Sequence, residues 1–479
     1  MDRFVDTGGL PMEAIDAIIK QIDDIVWGIP LIVIILACGI MLTVRLRFLQ
    51  IRKLGKGFRY MLHDDDSGHG DVSSFAALCT ALSATVGTGN IVGVATAVST
   101  GGAGALFWME VAALFGMATK YAEGLLAIKY RTKDQNGNIL GGPFYYIENG
   151  MGRKWKWLAK IFAFFGVFVG LMGIGTFTQI NGITTAVKNF FDPDMQQTVS
   201  LFGNEYSISV VIAGIIITIL TALVLIGGLK SISSVAQVVV PAMIIAYVGC
   251  CLIVLFTHIT DIPAAVAEIF ESAFGLRPIA GGIAGISVVF LSAQKGIARG
   301  IFSNEAGLGS APIAASAAKT KEPVRQGLVS MMGTFIDTII VCTMTGLVIV
   351  IAGSHTKGLT GVDITIDAFS SGLPFPSRVS AFIVMACLAI FAFTTILGWN
   401  YYSERCISYL IKPHKYLSIT YRWIYIAAVF IGPYLTVEAV WNIADIFNGL
   451  MALPNIAAII ALSGIVRSET LDYFRRTED

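Results

Sequence analysis

Charge is the scarcest commodity in this 479-residue chain: Asp, Glu, Lys and Arg together make up 14% of it, against about 25% in soluble domains. With a mean hydropathy of +0.74, that deficit excludes a soluble globular domain and indicates an all-α polytopic membrane protein. There are five histidines, His63, His69, His258, His355 and His414, all in loops or at the ends of apolar runs. No nucleophile–base pair or metal constellation accompanies them, so no enzyme and no cofactor are expected. The seven cysteines (Cys38, Cys79, Cys250, Cys251, Cys342, Cys387, Cys406) lie in or at the ends of apolar stretches. Without CxxC or Cys/His spacing they support neither a zinc site nor a disulfide framework, and read as small buried side chains. No basic stripe or aromatic platform suggests nucleic acid. The N-terminal segment, 1–26, is acidic and amphipathic and lacks the basic start of a cleavable signal.

What is present is a series of apolar runs long enough to cross a bilayer. They lie near Trp27–Leu46, Ser74–Val98, Leu106–Ile128, Leu158–Val187, Ile208–Ile226, Val235–Phe256, Gly281–Ala317, Gly327–Ala352, Val379–Leu410, Ile419–Tyr434 and Val440–Val466, eleven spans in all. Basic residues cluster in alternate loops: Arg45, Arg47, Arg52, Lys53, Lys56 and Arg59, then Lys129, Arg131, Lys133, Arg153, Lys154 and Lys156. Lys319, Lys321, Arg325, Lys412, Lys415, Arg475 and Arg476 follow on the same side. The bias predicts an N-terminus outside and a cytoplasmic tail, 467–479, in a cell membrane.

Setting aside the first span, 27–46, leaves ten, which divide into two fives over 73–257 and 279–466. Five is odd, so the second set starts from the opposite face of the membrane, the arithmetic of an inverted-topology repeat.

The run Thr85-Val86-Gly87-Thr88-Gly89-Asn90 interrupts the first of those ten at mid-depth. Glycine weakens a helix by about 1 kcal/mol relative to alanine, and free backbone at membrane depth is tolerated only in a cavity or against protein. The freed N–H groups of Gly87, Thr88 and Gly89, with the Asn90 amide, suit a carboxylate. The carbonyls of Ser83 and Val86 suit a hard monovalent cation. The same five residues from Thr85 resemble a potassium-channel filter except at the fourth position, but a filter needs a re-entrant loop and four-fold symmetry. Close helix packing through small residues is the competing structural reading.

If the repeat holds, a second break belongs at the matching offset in the second half, on Phe290-Leu291-Ser292-Ala293-Gln294-Lys295-Gly296. A competing break lies at Ser303-Asn304-Glu305-Ala306-Gly307-Leu308-Gly309-Ser310; the offset favours the first, with the second as a gate-side turn. Thr394 and Thr395, in Phe391–Asn400, offer two adjacent hydroxyls to the cation, and Trp399 shares a face with Thr395 one turn on. Gly170, Gly173 and Gly175 precede Thr176, Thr178, Gln179 and Asn181; the glycines permit close approach and Gln179 is polar near mid-depth.

Ionisable residues inside spans are functional candidates. Lys120 and Glu123 are expected to pair, Lys295 and Arg299 to pair with Glu305, while Glu110 and Asp337 are candidate proton sites. Gly141–Gly150 reads as a turn into a short interfacial helix.

Taken together, Ala81–Gly93, Gly141-Gly142-Pro143, Phe302–Pro312, Gly333–Thr338 and Thr394–Trp399 resemble the alanine or glycine:cation symporters, the sodium–alanine symporter family. The resemblance covers about residues 27–465. It implies the leucine-transporter fold, with broken first and sixth core helices, and sodium-coupled uptake of alanine and glycine from the lipid-embedded protein. By that likeness Gly87, Thr88, Gly89 and Asn90 take the substrate carboxylate. Ser83, Val86, Thr394 and Thr395 hold sodium, and Gln179, Phe290, Ser292 and Trp399 line the pocket. The alternative is proton coupling through Asp337 or Glu110; a channel is the remote one.

Overall fold

Apolar runs of this length become helices because, once water is excluded, each backbone group must find its partner within the segment. The computed structural model describes residues 12–63, 68, 70–134, 137, 139–201, 204–275, 282–411, 415–435 and 437–478. Among the described residues, four helices come before the first half: α1 (Met12–Val26), α2 (Ile29–Arg45), the latter opened by Pro30, where a missing N–H costs nothing, and the short Leu49–Arg52 and Leu54–Leu62. The first half then holds α3 (Ser74–Thr85), α4 (Val94–Gly101), α5 (Gly104–Lys129), α6 (Lys156–Met172), α7 (Phe177–Phe191), α8 (Ile208–Ile226) and α9 (Gly228–Thr257). The second holds α10 (Gly282–Asn304), α11 (Ala311–Ala315), α12 (Pro323–Thr334), α13 (Thr343–Ile351), α14 (Ser377–Leu410), α15 (Lys415–Ile431) and α16 (Val437–Glu478). A widened stretch, Phe335–Cys342, joins α12 to α13. Among the described residues, strand is confined to two short antiparallel hairpins, Thr132–Lys133 with Ile139–Leu140 and Thr198–Leu201 with Asn204–Ser207.

Eight helices among the described residues are long and apolar enough to cross a membrane, or nine if α3 and the stretch Gly89–Gly101 form one span bent by 53°. The two other expected crossings are helical, as α10 and α15, but do not join those nine. The α15 helix has 17 residues, and α10 carries Lys295 and Arg299.

The first expected break is present. Ser73 caps α3, its hydroxyl accepting from Ala76 N at 3.1 Å, and the helix runs to Thr85. Val86 then leaves helical geometry (φ −77°, ψ 94°). A widened turn at Gly89–Gly93 restarts the helix, which continues as α4.

The second break is not where the repeat offset put it. The α10 helix passes unbroken through Ser292–Gly296. Gly296 is there for contact: a Cβ on it would come within 2.1 Å of the Ala105 carbonyl oxygen on α5. The Ser292 hydroxyl donates to the Gly101 carbonyl at the end of α4. The chain instead breaks after Asn304, at the stretch expected to be a gate-side turn. There Glu305 (φ 55°), Gly307 (φ 88°) and Gly309 (φ 82°) adopt left-handed backbone, a region open to glycine but uncommon for glutamate.

At the basic-loop end of the bundle, the start of α3 is tied to the chain that follows the second break. Asp71 N and Val72 N donate to Ala317 O (2.9 and 3.2 Å), and Lys319 N donates to Val72 O at 2.8 Å. Arg131, just past α5, donates to the carbonyls of Ser316 (2.8 Å), Ala318 (2.7 Å) and Thr320 (2.6 Å). Its planar fork suits three converging acceptors. The Gly141–Gly150 turn does lead into short helical pieces, Pro143–Tyr145 and Tyr146–Gly150. All seven cysteines are free, and five of them are buried.

Candidate functional site

The first break is built by side chains that satisfy backbone released from the helix. Asn90 folds back so that its Oδ1 accepts from Gly87 N at 2.9 Å. Gln179, on α7, accepts from Thr88 N at 3.3 Å through Oε1. On the opposite side Thr395, on α14, donates to Val86 O at 3.3 Å while also bonding Phe391 O of its own helix at 3.1 Å. Gly87 is what lets these approach. A Cβ there would lie 2.5 Å from Thr395 Oγ1 and 3.2 Å from Gln179 Oε1, the first distance being shorter than any real contact.

Gly87, Thr88, Gly89, Asn90, Gln179, Val86 and Thr395 therefore converge, as the sequence suggested, and all are buried. Ser83 lies one turn earlier, against Gly398, where an added Cβ would meet Ser83 Oγ at 2.8 Å. Thr394 turns to the other side of its helix, bonding Phe391 O at 2.9 Å and reaching Met243 Sδ of α9 at 3.6 Å.

Phe290 and Ser292 do not join the cluster. Phe290 is 50% exposed on the outside of the bundle, and Ser292 is spent on Gly101. The reason is the displaced break: with α10 continuous, these residues sit three turns or more from its broken end.

That broken end is what faces the first. Gly89 packs on Ser303, with an added Cβ only 3.4 Å from Ser303 Cα. Ser303 Oγ donates to Asp337 Oδ2 at 2.9 Å, as does Thr338 Oγ1 at 2.8 Å. Asp337 Oδ1 accepts from Asn90 Nδ2, again at 2.8 Å. Asp337 is fully buried and ties three elements together: the first break, the second break and the stretch between α12 and α13. Three donors on one carboxylate are the condition under which a charge is tolerated in the interior.

Glu305 does not pair with Lys295 or Arg299. Its Oε1 accepts from Trp399 Nε1 at 2.9 Å and its Oε2 from Ser310, so the α14 tryptophan is fastened to the second break. Below it, Gly307 N donates to Glu123 Oε1 at 3.1 Å, and Asn455 Nδ2 reaches both Glu123 Oε1 (2.7 Å) and Gly307 O (2.9 Å). Glu123 thus holds backbone instead of pairing with Lys120. The Lys120 amine is buried without a hydrogen-bond partner, as is Gln326 Oε1; both residues line a cavity of about 10 Å³ beside Asn304, room for about one water.

The three glycines before Gln179 also show their purpose. Helix α6 stops at Met172 and α7 resumes at Phe177. Added Cβ atoms on Gly170 and Gly175 would strike Ser403 and Trp399 at 2.3 and 2.7 Å. What approaches Gly170 and Gly175 is α14, whose Trp399 is thereby pressed beside Gln179's helix, while Gly173 makes room for Ala444 of α16. Sequence reasoning missed Ser303 as the neighbour of Gly89, and it saw Arg131 only as a loop charge. The polar octet Ser303–Ser310 was the signal for the former; nothing local marks the latter.

Two broken helices meeting in a buried polar centre, braced by an unbroken helix carrying hydroxyls, define a secondary transporter of the leucine-transporter class. A solved structure of MhsT in complex with L-phenylalanine is similar in fold, with a TM-score of 0.51 over 85% of this chain and 99% of that one, at 14% identity. The sodium:alanine symporter family model matches residues 12–479, and the chain belongs to that family. The sodium/alanine symporter AgcS of Methanococcus maripaludis is 45% identical, over 95% of this chain and 96% of its own. An uncharacterized transporter of Haemophilus influenzae is 51% identical, over 96% and 97%. The chain is accordingly a multi-pass membrane transporter and not an enzyme.

Proposed function

We propose that this protein imports small neutral amino acids, alanine and glycine, coupled to sodium, by alternating access across a cell membrane. In this reading eleven crossings, arranged as one leading span and two inverted fives, hold the N-terminus outside and the C-terminus in the cytoplasm. The observation that carries it is the pairing of Thr395 Oγ1 with Val86 O (3.3 Å) on one side of the break and of Thr88 N with Gln179 Oε1 (3.3 Å) on the other. Oxygen lies on one side and N–H on the other, the arrangement a cation and a carboxylate need side by side.

The carboxylate is taken by the N–H groups of Gly87, Thr88 and Gly89, displacing the Gln179 amide oxygen from Thr88 N and the Asn90 amide oxygen from Gly87 N, while the Asn90 amide nitrogen stays on Asp337. Sodium takes the carbonyls of Ser83 and Val86 and the hydroxyl of Thr395, with Thr394 joining by a change of rotamer. Trp399 walls the side-chain end of the pocket. A missing or extra methylene is worth only about 1–3 kcal/mol there, so selectivity is graded. Phe290 and Ser292 have no part in the pocket.

Labelled alanine uptake into proteoliposomes, driven by a sodium gradient or by a proton gradient, tests the coupling. Sodium-driven uptake is expected; uptake that ignores sodium and follows pH would replace this reading with proton coupling. That second reading has one observation in its favour: both carboxylate oxygens of Glu110 are buried with no hydrogen-bond partner.

A further inference from the structure

Positive charge at the basic-loop end of the bundle is not spread evenly. Arg45, Arg47, Arg52 and Lys53, from the end of α2 and the chain around the short helix Leu49–Arg52, converge with Arg467 of α16 on one groove of about 130 Å³. A tight bend gathers the first four. Arg47 (φ 55°) and Phe48 (φ 56°) both adopt left-handed backbone, uncommon for side chains this large. Phe48 N donates back to Thr43 O at 2.8 Å, and Arg52 Nη1 donates to Arg47 O at 3.3 Å. The Arg45 guanidinium donates to Ser463 Oγ of α16 and ties the two walls together.

No acidic side chain lines the groove to balance these five cations. Arg467, Thr470, Leu471 and Phe474 recur every three or four residues and so form one face of α16. The acids of that stretch lie off this face: Glu469 is 2.6 Å from Lys129 and Asp472 is 3.9 Å from Arg475. The rest of the lining is apolar. Leu46 and Leu49 are buried, and the Lys53 ammonium stands 4.6 Å from the centre of the Phe474 ring. Around the groove Val44, Phe48, Ile51 and Leu471 are exposed. A soluble phosphate would answer the cations and leave this apolar rim in water. A ligand with a negative headgroup and hydrocarbon chains answers both.

We propose that the groove binds an anionic phospholipid from the membrane leaflet on the basic-loop side. The lipid phosphate takes the arginine forks, which fit it in bidentate fashion, with Lys53 beside it, and the acyl chains lie against the apolar rim. In the measure in which one water needs about 10–15 Å³, the groove has room for a phosphate and its ester oxygens. The general bias of basic residues toward one face of a membrane protein accounts for charge at this level. It does not account for the meeting of Arg47 and Arg467, from opposite ends of the chain, in one acid-free groove. Basic pockets between helices at this depth suit anionic headgroups. About three turns before Arg467, α16 also carries Asn455, which holds Glu123 and Gly307 at the second break. A lipid that bridges α2 and α16 therefore braces the helix that fastens that break. The inference goes beyond the transport reading and depends on neither the substrate nor the coupling ion.

The test is lipid binding to the purified full-length protein in detergent, titrated by native mass spectrometry with phosphatidylglycerol or with phosphatidylcholine of the same chains. Wild type is expected to bind phosphatidylglycerol at least about tenfold more tightly. The variant Arg47→Gln/Arg52→Gln/Arg467→Gln, altered only at exposed side chains, should bring the two lipids within about twofold. Arg467→Gln alone is expected to lose about threefold and serves if the triple variant does not fold. The control Lys133→Gln/Arg153→Gln/Lys154→Gln, equally exposed and at the same end of the bundle, should keep the wild-type preference. Equal losses in the groove and control variants would assign binding to bulk charge and overturn the proposal, as would a wild type that does not distinguish the lipids. Displacement of the bound lipid by inorganic phosphate, but not by chloride at equal ionic strength, would overturn it in favour of a soluble phosphate.

Discussion

The two breaks solve one problem in different ways. At Gly87–Asn90 the chain is released from helical geometry at Val86 and resumes within a few residues; the Asn90 side chain returns to Gly87 N and does the work of the missing turn. At Glu305–Ser310 the backbone swings through three left-handed residues, and its partners come from far away: Trp399, Glu123 and Asn455. The first break closes its missing turn with its own Asn90 and is then braced from outside by Gln179 and Thr395, whereas the second has its peptide groups and its Glu305 carboxylate held largely from other helices. They also differ in what precedes them, 12 residues of α3 against 23 of α10. An offset counted from the start of one helix therefore does not carry over to the other.

This contrast can be broken experimentally, and the sharpest blow falls on the first break. Gly87→Ala drives a methyl into Thr395 and Gln179 and is expected to reduce alanine uptake at least a hundredfold while leaving the purified protein folded by size exclusion. Retained uptake would mean that the break does not touch the substrate path.

Next in size is Thr395→Ala. It removes the hydroxyl opposite Val86 O and is expected to raise the sodium concentration for half-maximal uptake about tenfold, or about 1.4 kcal/mol. Alanine affinity at saturating sodium should change much less. Sodium titrations that superimpose on wild type would rule out the first-break cation site.

For the second break the expected loss is in stability. Glu305→Ala strands Trp399 Nε1 and Ser310, at a cost of about 1–3 kcal/mol, whereas Glu305→Gln keeps an acceptor for the indole and should lose less. Thermal unfolding of the two purified variants measures the difference; equal melting temperatures would show that the carboxylate is not the fastener. Smallest of all is Phe290→Ala. Uptake within twofold of wild type is expected, because the residue faces outward, and a large loss would restore the discarded position of the second break.

Much of the first break was legible because its signal is local. A polar, glycine-containing run in an apolar segment conflicts with the demand that backbone at depth be paired, and only a break resolves the conflict. Gln179 was legible for a related reason, as an amide placed just after glycines that announce a close approach. The Ser292–Gly296 stretch has the same look and a different meaning. Ser292 bonds the end of α4, Gly296 lets α5 come near, and Lys295 lines a chamber shared with Asp23, Asp24 and Asp445, so the polarity serves packing and a surface-facing cavity. Composition cannot distinguish a residue that ends a helix from one that serves a neighbour of that helix.

The sequence by itself determined the class of protein, the release of the backbone from the helix at Gly87 and the hydroxyls at Thr394 and Thr395, since each follows from the cost of burying polar groups in an apolar run. It also carried the family likeness in full. Only the tertiary structure decided that Glu305 bonds Trp399, that Asp337 joins both breaks through Asn90 and Ser303, and that Arg299 meets Asp445. These pairings lie between 34 and 247 positions apart along the chain or in separate helices. A buried polar side chain states that it must have a partner; which one it finds depends on how the helices pack.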